Sequence, residues 1–244
     1  MPSSNKIALI TGANKGIGFE VARQLGKQNC TVLVGARDAK LGEEAVAKLK
    51  KEGIEAVFVA LDVTRRETIE AARAGIEKEF GKLDILVNNA GIADRGGDGP
   101  PSGANIDAVG RTLQTNFVGA LAVAQAMLPL IRKSAAGRIV NVSSGLGSIT
   151  FNSDPSWAFA PYRFLGYSAS KAALNMLTAQ LAAELRDTPI KVNSADPGYT
   201  ATDLNQHRGH QTIPQGAAAA IRLAVLPDEG PTGGFFSADR EEPW

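Results

Sequence analysis

The sequence predicts an α/β fold: one doubly wound parallel sheet of about seven strands with helices on both faces. Short β-branched or apolar runs alternate with longer segments of helical period. Right-handed crossovers between parallel strands then leave few arrangements other than helices on both sides of the sheet. "KIALIT" opens the chain as a buried strand, and "GFEVARQLGKQ" follows with apolar residues three and four apart, as on one helix face. "TVLVGA" and "EAVFVA" are the next strands, separated by the helical pattern "AKLGEEAVAKLKKEG". "RETIEAARAGIEKEF" is a helix leading to the strand "DILVNN", and a long helical stretch runs from Asn105 to Ser134. "RIVNVSS", the helix "GYSASKAALNMLTAQLAAELRD" and "IKVNSA" complete the pattern, with "GGFFS" as the candidate seventh strand. No interdomain linker or motif-level repeat appears, so residues 1–244 are expected to form a single domain.

Composition narrows the partners. With 26 basic against 25 acidic residues and no block of like charge, there is no net field to hold nucleic acid or an anionic membrane. The most apolar helical pattern is broken by Asn116, Gln125 and Pro129, so no membrane span is expected. A single cysteine, Cys30, permits no intrachain disulfide, and "MPSSNKIALIT" lacks the regions of a secretory signal; both favour a reduced, cytoplasmic protein.

Two segments are irregular, 91–104 and 145–164, and both follow strands. They emerge at the carboxyl edge of the sheet, where open α/β folds bind ligands. At the same edge, "ALITGANKGIGFEVA" places Gly12, Gly16 and Gly18 between the first strand and first helix. Glycines let the backbone approach a pyrophosphate, and the helix amino terminus offers free N–H groups and positive potential. Gly12, Asn14, Lys15, Gly16, Ile17 and Gly18 are therefore candidate dinucleotide binders, although the G-x-x-x-G-x-G spacing departs from G-x-G-x-x-G. In "VLVGARD", Arg37 follows the second strand. Its guanidinium suits a 2′-phosphate and hence NADPH, with Lys15 able to add a second charge. Asp38 is the alternative, as the acid that would accept from an NAD ribose.

"TGANKGIG", "NNAG" at 88–91, "YSASK" and "DPGYTATD" together resemble the short-chain dehydrogenase/reductase family, and "TGANKGIGFEVARQL" resembles its carbonyl-reductase-like branch. The resemblance runs from Lys6 to about Leu204 and implies a Rossmann fold. It also implies that Asp62 and Val63 meet the adenine and that Asn89, Ala90 and Gly91 lie beside its ribose. Asn88 and Asn89 have a plainer reading, as ties between neighbouring strands.

Tyr-x-x-x-Lys is a poor motif alone. Tyr162 fails it, because Gly166 stands four positions on, whereas Tyr167 is followed by Lys171 on the same helix face. A phenol titrating near 10 is a poor neutral-pH catalyst, and a nearby cation is expected to lower its pKa. The family resemblance makes Tyr167 the proton donor in carbonyl reduction, and gives Lys171 the tasks of lowering its pKa and binding the nicotinamide ribose. It makes Ser144 the holder of the substrate oxygen, with Ser143 as the alternative in the tandem, and Asn116 the residue that keeps a water beside the lysine.

In "DPGYTATDL", Pro197 and Gly198 would turn the chain past the nicotinamide, while Thr200 and Thr202 would meet its carboxamide or the phosphates. The polar segment beyond suits a lid over about 199–213. His207 and His210 have no companion ligands in the sequence, so no metal site is expected.

Ser144 and Tyr167 are farther apart than in most of the family, which marks an insertion at about 149–165. It holds Phe151, Trp157, Phe159, Tyr162 and Phe164, as either a wall of an apolar substrate pocket or a packing staple. By resemblance it would cover the helix face that other members use to form tetramers, so a monomer or weak dimer is expected. The leading functional reading is an NADPH-dependent reductase of ketones, aldehydes or quinones. An NAD-linked alcohol or hydroxysteroid dehydrogenase is the alternative, and a non-catalytic dinucleotide sensor a third. "PTGGFFSADREEPW" carries no recognisable motif.

Overall fold

The computed structural model describes residues 5–244. Seven parallel strands form one sheet in the order β3-β2-β1-β4-β5-β6-β7. They are β1 Lys6–Thr11, β2 Cys30–Ala36, β3 Ala56–Ala60, β4 Ile85–Asn88, β5 Arg138–Val142, β6 Lys191–Ala195 and β7 Phe235–Phe236. The first strands are largely apolar and buried because both faces of the sheet are covered. Ala8 and Ile10 of β1 point into one core and Ile7 and Leu9 into the other, and β2 divides the same way between Val32 with Val34 and Leu33.

Helices α1 Gly16–Lys27, α2 Ala39–Lys51 and α8 Ile213–Ala224 cover the first face through Val21, Leu25, Leu49 and Leu223. On the second face lie α3 Arg66–Phe80, α5 Ala120–Ile131 and α7 Leu165–Glu184, which bury Ile69, Ile76, Val123, Met127 and Leu181. Helix α8 is absent from the expected elements. Its start nevertheless has a sequence signature, a capping box in which Thr212 and Gln215 satisfy one another's backbone, with proline in the first turn.

The long stretch expected from Asn105 is a continuous helix, Ile106–Ile131, with a π turn at Gln114–Gly119 between α4 Ile106–Leu113 and α5. By length and mean hydropathy this helix meets the measure for crossing a bilayer, contrary to the expectation from its polar interruptions. It packs as a covering helix, with Met127 and Leu130 fully buried against the sheet.

The insertion contains a short helix, α6 Ile149–Ser153, which packs on the 3-10 turn Gly145–Gly147. The remainder turns toward the lid: Phe159 lies 5.6 Å from Tyr199, and Tyr199 5.9 Å from His210. A groove between α5 and α7, bordered by the partly buried Leu121, Leu128 and Leu177, stays open. No residue of the expected insertion borders this groove. The segment after β7 folds back on the strand. Trp244 stacks on Phe235 at 5.7 Å, and its carbonyl accepts from the Thr150 N–H at 2.9 Å, tying this segment to the insertion.

Candidate functional site

The chain reverses its direction of winding between β1 and β4, and a cleft of about 690 Å³ opens there at the carboxyl edge. Its floor is the turn from β1 to α1. Gly12 and Gly16 have φ of 64° and 59°, a region that glycine enters without a steric cost. Gly12, Asn14, Lys15, Gly16 and Ile17 line the cleft, but Gly18 does not. A Cβ on Gly18 would stand 2.4 Å from Asn89 Nδ2 and 2.7 Å from the Gly12 carbonyl, so the residue serves close packing instead.

Asn89 holds that packing in place. Its Nδ2 donates to the carbonyls of Thr11 and Gly12 at 2.9 and 3.2 Å. The buried Thr11 hydroxyl accepts from the N–H groups of both Asn89 and Ala90 at 3.0 Å. Asn88 donates to Asn141 at 2.9 Å, Asn141 donates to Thr178 at 2.8 Å, and Thr178 meets Ser194 at 2.8 Å. The plain reading of the two asparagines as ties is borne out. Asn89, Ala90 and Gly91 also line the cleft.

At the end of β2 the two candidate determinants part. Asp38 caps α2, accepting from the Leu41 N–H at 3.0 Å. Arg37 is exposed at the cleft and makes no ion pair among the described residues. Asp62 and Val63 lie opposite. Burial works to raise the Asp62 carboxyl, but hydrogen bonds from Thr64 and the charges of Arg37 and Arg65 outweigh it and hold it below the usual range. Lys15 differs from expectation: its ammonium is paired with Asp203 of the lid at 2.5 Å, and Asp203 also meets His207 at 2.9 Å.

The lid is pinched at its base by bonds from the Ala201 N–H to the Gln211 carbonyl and from the Gln211 N–H to the Tyr199 carbonyl. Pro197 and Thr202 face the cleft, whereas Gly198 and Thr200 do not line it. Gly198 serves the turn at φ 63°. Thr200 is buried against α8, its hydroxyl donating to the Pro197 carbonyl at 2.8 Å.

At the far end of the cleft, α7 brings Tyr167 and Lys171 together, with the ammonium 5.7 Å from the ring centre. Lys171 is buried and its Nζ donates to the Val142 carbonyl at 2.7 Å. Of the tandem serines, Ser143 is buried where it borders the cleft, its hydroxyl donating to the Lys171 carbonyl at 3.4 Å, while Ser144 stays partly open and close enough to Tyr167 to lower its phenol.

Asn116, in the π turn, accepts from the Ile92 N–H at 2.8 Å and donates to the Ile92 carbonyl and to Ser170, each at 2.9 Å. Both of its side-chain N–H groups are thereby used, so a water beside the lysine would have to donate to its side-chain oxygen or its main-chain carbonyl. A π turn at a site of this kind is a recurrent arrangement.

The expected lowering of the Tyr167 phenol is reversed. Tyr167 sits deep in the molecule although part of its surface is open to the cleft, and burial pushes the phenol up to about 12. Asp196 adds to the rise, while Ser144 and Arg95 oppose it. Burial likewise pushes Lys171 down to about 8. Desolvation disfavours the charged form of each group, and in the protein alone it exceeds their mutual effect.

Among the described residues no cluster of metal-ligating side chains occurs. Thr11 and Asp203 lie inside the quoted motifs without a role having been read for them, and Arg95 and Asp98 lie outside any motif; Asp98 accepts from the Tyr167 N–H at 2.8 Å.

Comparison with known proteins agrees with this geometry. A family model described as short chain dehydrogenase matches residues 6–212. Short-chain dehydrogenase/reductase 1 of Saponaria officinalis is 34% identical, covering 99% of this chain and 97% of its own. Carbonyl reductase [NADPH] 1 of Mus musculus is 33% identical over the full length of both chains. Among solved structures, NADPH-bound carbonyl reductase from chicken fatty liver superposes with a TM-score of 0.85 at 27% identity, covering 98% of this chain and 94% of that one. The chain belongs to the short-chain dehydrogenase/reductase family, in its carbonyl-reductase-like branch, and is an oxidoreductase.

Proposed function

We propose that this oxidoreductase uses NADPH to reduce the carbonyl of small ketones, aldehydes or quinones, with Tyr167 as the proton donor. The observation that carries the reading is the placement of Tyr167 and Lys171 at one end of a cleft, with Ser144 beside the phenol, while the other end holds a glycine turn and an arginine that makes no ion pair among the described residues. The cleft suits a dinucleotide. A Cβ on Gly12 would lie 3.0 Å from the Ala90 Cα, so only a bare backbone lets this turn sit against the end of β4. Gly12 to Ile17 would hold the pyrophosphate, Asn89 to Gly91 the adenine ribose, and Arg37 a 2′-phosphate. Bound NADPH would supply the hydride.

The chain's own residues supply the proton and the orientation. With its phenol at about 12, Tyr167 is protonated at neutral pH and ready to act as an acid. Ser144 orients the substrate oxygen toward it. Lys171, titrating near 8, is largely charged at pH 7 and stabilises the phenolate left after donation.

Arg37 favours NADPH over the NAD-linked alternative, because Asp38 is engaged as a helix cap. The NADPH-specific names of two of the relatives support the same choice. The test is kcat/KM with NADPH and with NADH for the wild type and for Arg37→Ala, together with Tyr167→Phe. A phosphate grip predicts a loss confined to NADPH, on the order of tenfold to a hundredfold for one charge-assisted contact of about 1.5–3 kcal/mol. Equal loss with both cofactors would remove Arg37 from that role, and sustained turnover in Tyr167→Phe would remove the tyrosine from the mechanism.

A further inference from the structure

Helix α7 begins without a cap of its own: Phe164 stands at its N-cap position and contributes no side-chain hydrogen bond. The first N–H groups of a helix have no partner within it, so others must satisfy them. Here they are met from 68 residues away. Asp98, in the loop after β4, accepts from the Gly166 N–H through Oδ1 and from the Tyr167 N–H through Oδ2, both at 2.8 Å. The Leu165 N–H donates to the Gly99 carbonyl at 3.0 Å.

We propose that Asp98 is a positioning residue for carbonyl reduction: by capping α7 from the loop after β4, it fixes the backbone of Tyr167 and so the place of the phenol beside Ser144. The inference rests on the reading of Tyr167 as proton donor.

The residue type follows from the geometry. Two adjacent N–H groups meet two carboxylate oxygens, and the negative charge lies at the positive end of the helix. Asparagine offers one acceptor and would set its NH₂ against the other N–H. The same loop begins at Ile92, which Asn116 clasps on both backbone groups, and contributes Arg95 to the cleft wall. The wall of the cleft and the seat of the acid are thus one connected piece of backbone.

The experiment compares full-length wild type, Asp98→Asn and Asp98→Ala in two ways. Amide exchange by NMR at Gly166 and Tyr167 reads the cap directly and needs no turnover. Steady-state kinetics with saturating NADPH and 4-nitrobenzaldehyde as probe substrate reads its consequence. Exchange at these two amides should accelerate at least about tenfold in Asp98→Ala and less in Asp98→Asn. In the same order, kcat should fall by about 10- to 100-fold, the scale of an ångström-sized misplacement, with KM changed less than about threefold.

Unchanged exchange overturns the proposal, as does faster exchange with undiminished kcat, which would make Asp98 a structural cap only. A KM rise in place of a kcat loss also overturns it. A wild-type protein inactive on the probe and on other carbonyls overturns the reading of the reaction, and this proposal with it. In that event the exchange data still establish whether the cap exists, which separates the two failures.

Discussion

Replacing Thr11 by valine keeps the size of the side chain and removes only its hydroxyl. That oxygen accepts from the N–H groups of Asn89 and Ala90, both at 3.0 Å, at a position 1% exposed. Two backbone donors are then stranded where β4 enters the cleft. At about 1–3 kcal/mol each, less about 1 kcal/mol recovered by burying an extra methyl group, the variant should lose about 1–5 kcal/mol of stability. Thr11→Ser retains the hydroxyl and forgoes one methyl, which costs about 1 kcal/mol. Urea denaturation of both variants, with unchanged m-values as the check on two-state behaviour, measures the difference. NADPH titration should show weaker binding in Thr11→Val, because the Asn89 to Gly91 turn borders the cleft. If Thr11→Ser is the less stable of the two, or Thr11→Val loses under about 1 kcal/mol, the hydroxyl does not hold this turn.

Three further outcomes are expected. Because burial pushes Lys171 down to about 8, the alkaline limb of kcat/KM should fall near pH 8 and belong to the lysine; a limb of the same position in the residual activity of Lys171→Arg would assign it elsewhere. Asp203→Ala breaks the tie between Lys15 of the glycine turn and the segment at 199–213, so NADPH dissociation in stopped-flow fluorescence should quicken, and an unchanged rate would show that the pair is no latch. Burial tends to raise the Asp84 carboxyl, but bonds from Ser134, the Ile7 N–H and Lys82 prevail and hold it below 3.8. Its stabilising effect is therefore full above the unfolded value and lost as pH falls through the folded one, and Asp84→Asn should flatten the acid side of a plot of Tm against pH.

The order of strands and the alternation of helices were legible because a parallel sheet buried on both faces leaves continuous apolar runs, as in Ile7 to Ile10. Helix α8 escaped because its first turn follows directly on the polar lid, and its four consecutive alanines mask the helical period. Spacing marks out the segment at about 149–165 but not the side to which it turns. That depends on Tyr199 and His210, residues that meet Phe159 only once β6 and the lid are in place.

Within the site, legibility follows sequence distance. Tyr167 and Lys171 stand one helical turn apart, so their meeting is a property of the helix. Lys15 and Asp203 are 188 positions apart, and Asp98 and Tyr167 are 69 apart. No local pattern announces either pairing. The protonation of Tyr167 shows what spacing alone leaves out. A lysine four positions away argues for a lowered phenol, yet the same fold that assembles the pair also takes both groups out of water. Desolvation acts on each group separately and in opposite directions, raising the phenol and lowering the ammonium, so at neutral pH the phenol is protonated and the lysine is still largely charged. The phenol proposed as the acid thus keeps its proton in the protein alone.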